Sequence, residues 1–182
     1  SLDKWIQFLD KNNKIFEVVP SFYGNKFKED WMWGLILPFL SYLYNLNNSH
    51  SYRKVIGLSA LPGTGKTTLG KIIKELSLLL DIKVSVISLD DFYLTSKEME
   101  KAIKGNPWNV PRGFPGTHAV KMIQDKVLAW KESGILNFPV FDKSLRSGFG
   151  DRSHWVHESS DFLILEGWFL GTAPTSNSFI KD

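Results

Sequence analysis

Lys54-Val55-Ile56-Gly57-Leu58-Ser59 is a short run of strand-forming character, and Ala60-Leu61-Pro62-Gly63-Thr64-Gly65-Lys66-Thr67-Thr68 follows it directly. Gly63 and Gly65 free the backbone to curl so that successive N–H groups face inward, the arrangement that cradles phosphate oxygens. A helix opening near Lys66 brings the positive end of its dipole to the same point. In such a loop Lys66 reaches the β- and γ-phosphates, and the Thr67 hydroxyl suits a Mg²⁺ ligand. The pattern usually begins on glycine; here Ala60 holds that position and is small enough to fit. The competing reading is an ordinary glycine turn between strand and helix. Strand, loop and Gly-Lys-Thr-Thr together favour a nucleoside-triphosphate site over Leu61, Pro62, Gly63, Thr64, Gly65, Lys66, Thr67 and Thr68.

On the C-terminal side, a helix is expected over residues 67–80, with Leu69, Ile72, Ile73, Leu76 and Leu80 on one face and Lys71, Lys74 and Glu75 solvated on the other. Lys83–Leu89 alternates and is rich in β-branched residues, so it reads as a second strand. Strand, helix and strand at this spacing make a right-handed parallel βαβ unit. Residues 105–117 are a Pro/Gly-rich loop. A helix from about Thr117 to Lys131 turns Val120, Ile123, Val127 and Trp130 inward, and Gly134 is placed to end it. Asp161–Leu165 is expected to be a fully buried strand running into Glu166. The alternation predicts an α/β fold of three αβα layers with a mostly parallel sheet. On the N-terminal side, residues 1–50 look helical, with Trp5, Ile6, Phe8 and Leu9 near the start and breaks at Pro20, Gly24 and Asn25.

The 182 residues suit a single domain, with 1–50 as an N-terminal helical segment and 54–171 as the core. The balance of 43% hydrophobic and 23% charged residues is that of a soluble globular protein. Seven Trp and thirteen Phe promise aromatic core and pocket walls. With no cysteine, disulfides, thiolate catalysis and zinc–thiolate sites are excluded. A net charge of +3 without a Lys/Arg run argues against nucleic acid as a partner, while suiting an enzyme of anionic phosphates. Asp3 and Lys4 interrupt the first apolar residues, so no leader is visible and a cytoplasmic location is expected. Trp31–Leu46 is strongly apolar but contains Pro38 and falls short of the about 20 residues that span a bilayer. It is read as a buried helix or helix pair, and no membrane association is expected. Nothing in the sequence indicates an oligomeric state.

Ligands of open α/β sheets bind beyond the carboxyl ends of the strands. Leu89 is followed by Asp90-Asp91 and Leu165 by Glu166, so two strands end in carboxylates where the phosphate loop follows a third. If these strands lie together, Lys66, Thr67, Asp90 and Glu166 converge at one sheet edge as cradle, metal site and hydroxyl-positioning group, the parts phosphoryl transfer needs. Asp90 and Asp91 alternatively serve as turn or helix caps, and Glu166 as a solvated loop carboxylate. Arg112, Arg146 and Arg152 sit in Gly/Pro-rich loops, and three of them together favour at least one that holds a substrate carboxylate; Lys143 is a similar candidate, and each arginine alone is otherwise a surface charge.

Ser88-Leu89-Asp90-Asp91-Phe92-Tyr93 resembles the motif after the second strand in the uridine kinase, phosphoribulokinase and pantothenate kinase superfamily. Within it, Arg112-Gly113-Phe114-Pro115-Gly116-Thr117-His118, Pro139-Val140-Phe141-Asp142-Lys143-Ser144-Leu145, Gly148-Phe149-Gly150-Asp151-Arg152 and Leu165-Glu166-Gly167-Trp168-Phe169-Leu170-Gly171 resemble the D-glycerate 3-kinases of plants, fungi and cyanobacteria. The resemblance covers about residues 54–171. It implies a P-loop kinase fold and ATP-dependent, Mg²⁺-assisted phosphorylation of a small hydroxy acid. It implies further that Asp90 acts as base or hydroxyl-orienting group, and that Glu166, with Thr67 and Asp90, serves the metal. Asp91, Tyr93, Arg112, His118, Asp142, Lys143, Arg146 and Arg152 are the implied substrate-side residues, with His118 a loop residue rather than a catalyst.

The family usually carries Asp where this chain has Ala119, which leaves the identity of the acceptor open. Another alcohol such as uridine or pantothenate, or a nucleotide-binding protein without transfer activity, are the alternative readings. Such kinases continue past the metal-binding acid with a lid and an adenine-binding loop, so the C-terminal part of the fold is expected to be incomplete in these 182 residues.

Overall fold

The computed structural model describes residues 29–49, 53–105 and 112–172, together with residues 5, 6, 10, 19 and 22. A helical turn (Glu29–Trp31) and a π-helical run (Met32–Ile36) lead into α1 (Leu37–Ser49). There follow β1 (Lys54–Ser59), α2 (Lys66–Ser77), β2 (Val84–Ser88), α3 (Ser96–Ala102), α4 (Val120–Ser133), β3 (Ile135–Asp142), β4 (Asp151–Ser159) and β5 (Phe162–Gly167). Of the expected N-terminal helical segment, residues 29–49 are helical; Phe8, Leu9, Pro20, Gly24 and Asn25 lie outside the described residues, as do 106–111 of the expected loop.

The parallel sheet has the order β1-β5-β2. β5 is apolar from Phe162 to Leu165 because both its faces are covered. Phe162 and Ile164 join a core with Ile36, Leu40 and Leu43 from the N-terminal helices and Ile72, Ile73 and Leu76 of α2. Leu163 points the other way, into a core with Ile123 and Trp130 of α4 and Leu136 and Phe138 of β3. Period-2 alternation along one strand thus joins two cores, one on each face. Buried Trp130 has its indole N–H satisfied by Ser160 Oγ at 3.0 Å. Gly70 lets α2 approach the sheet closely, since a Cβ there would stand 2.8 Å from Val86 Cγ1.

Several expectations are refined. β1 and β2 are parallel but not adjacent, because β5 inserts between them. α2 ends at Ser77, and Leu78–Leu80 form a 3₁₀ turn. Lys74 is not simply solvated: its Nζ meets Glu158 of β4 at 2.6 Å. α4 starts at Val120 rather than Thr117, because Thr117–Ala119 run alongside residues 92–94 through Leu94 N–Thr117 O and Ala119 N–Phe92 O hydrogen bonds. Val120 is consequently 57% exposed rather than inward. Gly134 ends α4 in the left-handed conformation as expected. The apolar segment 31–46 buries Met32, Ile36, Leu37, Leu40 and Leu43 along one side, and no helix among the described residues is long and apolar enough to cross a membrane.

The antiparallel β3–β4 hairpin was not anticipated. Pro139 argues against a strand at that point, yet in a two-stranded ladder a proline opposite Trp155 is tolerated, since both strands are edges.

Ala119, the residue at which the resemblance expects Asp, is the N-cap of α4 and makes no side-chain cap. Ala119→Asp is therefore expected to stabilise the fold by about 1 kcal/mol through capping and the helix dipole. A thermal melt of the variant against wild type reads this directly, and an unchanged or lower midpoint contradicts it.

Candidate active site

Strand register levels the site. Glu166 of β5 stands beside Leu58 of β1 on one side and Ser88 of β2 on the other, so the phosphate loop, Glu166 and Asp90 leave the sheet at one edge. Gly63 and Gly65 take φ of 77° and 88°, and α2 opens at Lys66. A Cβ added at either glycine would meet nothing within 4 Å, so it is the positive φ rather than crowding that calls for glycine here. Leu61 O accepts from Thr64 Oγ1 and from Lys66 Nζ, both at 2.8 Å, which closes the loop on itself. Leu61, Thr64, Gly65 and Thr68 frame this loop, while Pro62, Gly63, Lys66 and Thr67 also line the adjoining cleft.

The cleft is about 390 Å³ and is completed by Ser88, Asp90, Asp91, Phe141, Lys143, Glu166, Gly167 and Trp168. Thr67 Oγ1 donates to Glu166 Oε1 at 2.8 Å, joining the first turn of α2 to the buried end of β5. No cluster of three or more His, Cys, Asp or Glu able to hold a metal exists among the described residues. The sparser oxygen set of Thr67, Glu166 and Asp90 along this cleft fits Mg²⁺, which keeps several waters and is usually held by one or two carboxylates plus substrate phosphates.

Asp90 sits opposite the phosphate loop. Its Oδ2 accepts from Lys143 Nζ at 2.6 Å, and its Oδ1 lies 4.0 Å from His118 Nε2, too long for a hydrogen bond. The His118 ring, and after it the Lys143 ammonium, hold the Asp90 carboxyl well below the usual carboxylate range, against the opposing effect of partial burial. His118 is buried between the rings of Tyr93 and Phe169, at centroid distances of 4.3 and 5.3 Å. Neither of its ring nitrogens has a hydrogen-bond partner among the described residues. Tyr93 is buried, its phenol pushed up by burial and by the Asp90 charge.

Other expected site residues have structural duties. Asp91 lines the cleft, but its two oxygens accept from Ser88 N and Phe141 N, both at 3.2 Å, tying the turn after β2 to β3; burial pushes its carboxyl up. Asp142 accepts from Ser144 N and Oγ in a tight turn, is solvent-facing, and does not line the cleft. None of the three arginines lines the cleft. Arg112 Nη1 donates to Gly148 O at 2.9 Å and Phe149 O at 2.8 Å. Arg152, on strand β4 rather than in a loop, donates from Nε to Tyr93 O at 3.1 Å. Arg146 pairs with Glu100 at 3.5 Å beside a separate apolar hollow. The expectation is that at least one of them faces the cleft; here two brace backbone carbonyls and the third pairs with Glu100 outside it.

Phe141, Gly167 and Trp168 belong to the cleft although the residue-type argument passed over them. All three lie within the motifs quoted above, Phe141 before Asp142 and Gly167-Trp168 after Glu166.

No protein-family model matches the chain. A chloroplastic D-glycerate 3-kinase of Arabidopsis thaliana is 37% identical over 139 residues, covering 70% of this chain and 30% of that protein. The chain is a homologue of D-glycerate 3-kinase. An uncharacterized kinase of Schizosaccharomyces pombe is 32% identical over 138 residues, 70% of this chain and 50% of that one. The solved D-glycerate 3-kinase of Cryptococcus neoformans var. grubii superposes with a TM-score of 0.64 at 28% identity, over 81% of this chain and 54% of that chain. The fold is thus that of the P-loop kinases to which this homologue of D-glycerate 3-kinase was likened from its motifs. The chain spans half or less of the length of these two curated relatives.

Proposed function

We propose that the chain forms the core of an ATP-dependent kinase that transfers the γ-phosphoryl group to a hydroxyl of a small hydroxy acid, D-glycerate being the acceptor its kinship favours. The observation that carries this reading is the pairing across one cleft of Lys66, Thr67 and Glu166 with Asp90 and Lys143. Backbone amides of the phosphate loop and Lys66 would hold the triphosphate, and Thr67 with Glu166, and Asp90 beside them, would hold Mg²⁺ through oxygen ligands and water. When bound, that ion supplies charge neutralisation to the transferring phosphoryl group. Asp90 would accept a hydrogen bond from the acceptor hydroxyl and aim its oxygen at the γ-phosphorus. In a loose phosphoryl-transfer transition state, orientation of the nucleophile matters more than its full deprotonation, so a carboxylate of low basicity suffices.

A cytoplasmic location is part of the same proposal, although the Arabidopsis relative is a chloroplast protein and kinship alone selects neither compartment. The test is ADP release by the purified chain with MgATP and a panel of D-glycerate, uridine and pantothenate. Acceptor-dependent release on D-glycerate supports the reading. Release only on a neutral alcohol makes it a kinase of another acceptor. ATP binding without release on any acceptor overturns the transferase assignment.

A further inference from the structure

We propose that Lys143, and none of the three arginines, is the specificity-determining residue that reads the acceptor's negative charge; this rests on the kinase reading above. A hydroxy acid entering beside Asp90, Asp91 and Glu166 brings a carboxylate into a cleft already lined by three acidic side chains. Unless a cation stands next to the hydroxyl-orienting group, that approach is repulsive. Among the cleft-lining residues only Lys66 and Lys143 are cationic, and Lys66 is turned to the carbonyl of Leu61 within the phosphate loop. Arg112 and Arg152 are committed to the carbonyls of Gly148, Phe149 and Tyr93, and Arg146 faces Glu100 outside the cleft.

Lys143 has the geometry for the task. Its ammonium lies 2.6 Å from Asp90 Oδ2, while its side chain is 58% exposed and so open to an incoming acceptor. An ammonium has three donors, so one bond to Asp90 leaves two for an incoming carboxylate. A hydroxyl bound at Asp90 and an acid group bound at Lys143 are then bridged by one ion pair. With hydrogen bonds of about 3 Å on either side of that pair, the hydroxyl and acid oxygens lie at most about 9 Å apart. The site therefore selects short acids, in which only a few bonds separate hydroxyl from carboxylate. A lysine is a mobile point charge rather than a rigid fork, so the predicted selectivity is for charge and length more than for carboxylate orientation.

The test compares wild type with Lys143→Met and Lys143→Arg on two acceptors of one skeleton, D-glycerate and the uncharged glycerol. Lys143→Met is expected to lower kcat/KM for D-glycerate by about 10- to 100-fold, mostly through KM, the loss appropriate to one hydrogen bond to a charged group. Glycerol, whose hydroxyl also depends on the Lys143-paired Asp90, should lose activity too but about tenfold less than the acid, and Lys143→Arg should restore most of the acid preference. Retained ATP binding and a cooperative thermal transition well above the assay temperature in Lys143→Met establish that the comparison reads recognition rather than folding. Equal losses on both acceptors, or an undiminished preference for the acid, overturn the proposal while leaving the kinase reading intact. A wild-type chain that phosphorylates no hydroxy acid removes both.

Discussion

Lys66→Ala is expected to lower ATP-dependent turnover by about 10³-fold, at the upper end of what removing one transition-state charge contact costs. The fold should survive. Leu61 O, which accepts from Lys66 Nζ, keeps its bond from Thr64 Oγ1, and the conformation of the loop is set by Gly63 and Gly65 rather than by the lysine. Circular dichroism and a thermal melt establish the folded state, and ADP release under saturating MgATP measures the effect. Near-wild-type turnover in a folded Lys66→Ala protein would defeat the nucleotide-site assignment, because no other cation lies on the phosphate-loop side of the cleft among its lining residues.

Asp90→Asn should reduce kcat by about 10²- to 10⁴-fold while leaving ATP affinity nearly unchanged. Asparagine keeps the shape, and the backbone N–H of residue 90 still donates to Ser88 Oγ, so the turn after β2 is retained. What is lost is the carboxylate proposed to orient the substrate hydroxyl. The same substitution has a stability signature. Because the native carboxyl is held below its ordinary value, its ionised form contributes stability throughout the neutral range, and that contribution fades as pH falls through and below the ordinary carboxylate range. Wild type should therefore melt above Asp90→Asn at neutral pH, with the gap closing in acid. A kcat within a few-fold of wild type, or a gap that widens in acid, contradicts the role given to Asp90.

The phosphate loop was legible in the sequence because its determinants are local. Two glycines that adopt positive φ, a strand before them and an amphipathic helix after them lie within a few residues of one another. The same holds for β5, whose unbroken apolar run announces a strand covered on both faces, and for Gly134 as the end of α4. The hairpin was harder. Its apolar residues do not alternate, since Phe138 to Phe141 run together in β3 and Trp155 and Val156 are adjacent in β4, and Pro139 with Gly148 and Gly150 resembles loop composition until a partner strand shows that it is tolerated.

Charge partners were the least legible feature. Arg112, Arg146, Arg152 and Lys143 look equivalent as candidates for a carboxylate, since a side chain's charge is local but its partner is not. Arg112 reaches carbonyls 36 and 37 residues away, Arg152 one 59 residues away, and Lys143 a carboxylate 53 residues away. Asp90 and Asp91 are neighbours in sequence and of one type, yet one faces two cationic-capable groups and the other is absorbed by backbone amides of two different elements.

By itself the sequence determined the α/β class, the phosphate loop and the carboxylates that end two strands, because torsional preference and hydrophobic periodicity act over a few residues. Only the tertiary structure decided that β5 lies between β1 and β2, bringing Glu166 to Thr67, and that Lys143 rather than an arginine shares the cleft with Asp90. Strand order and ion-pair choice depend on the simultaneous packing of segments distant along the chain, and no short-range pattern records which distant partner wins.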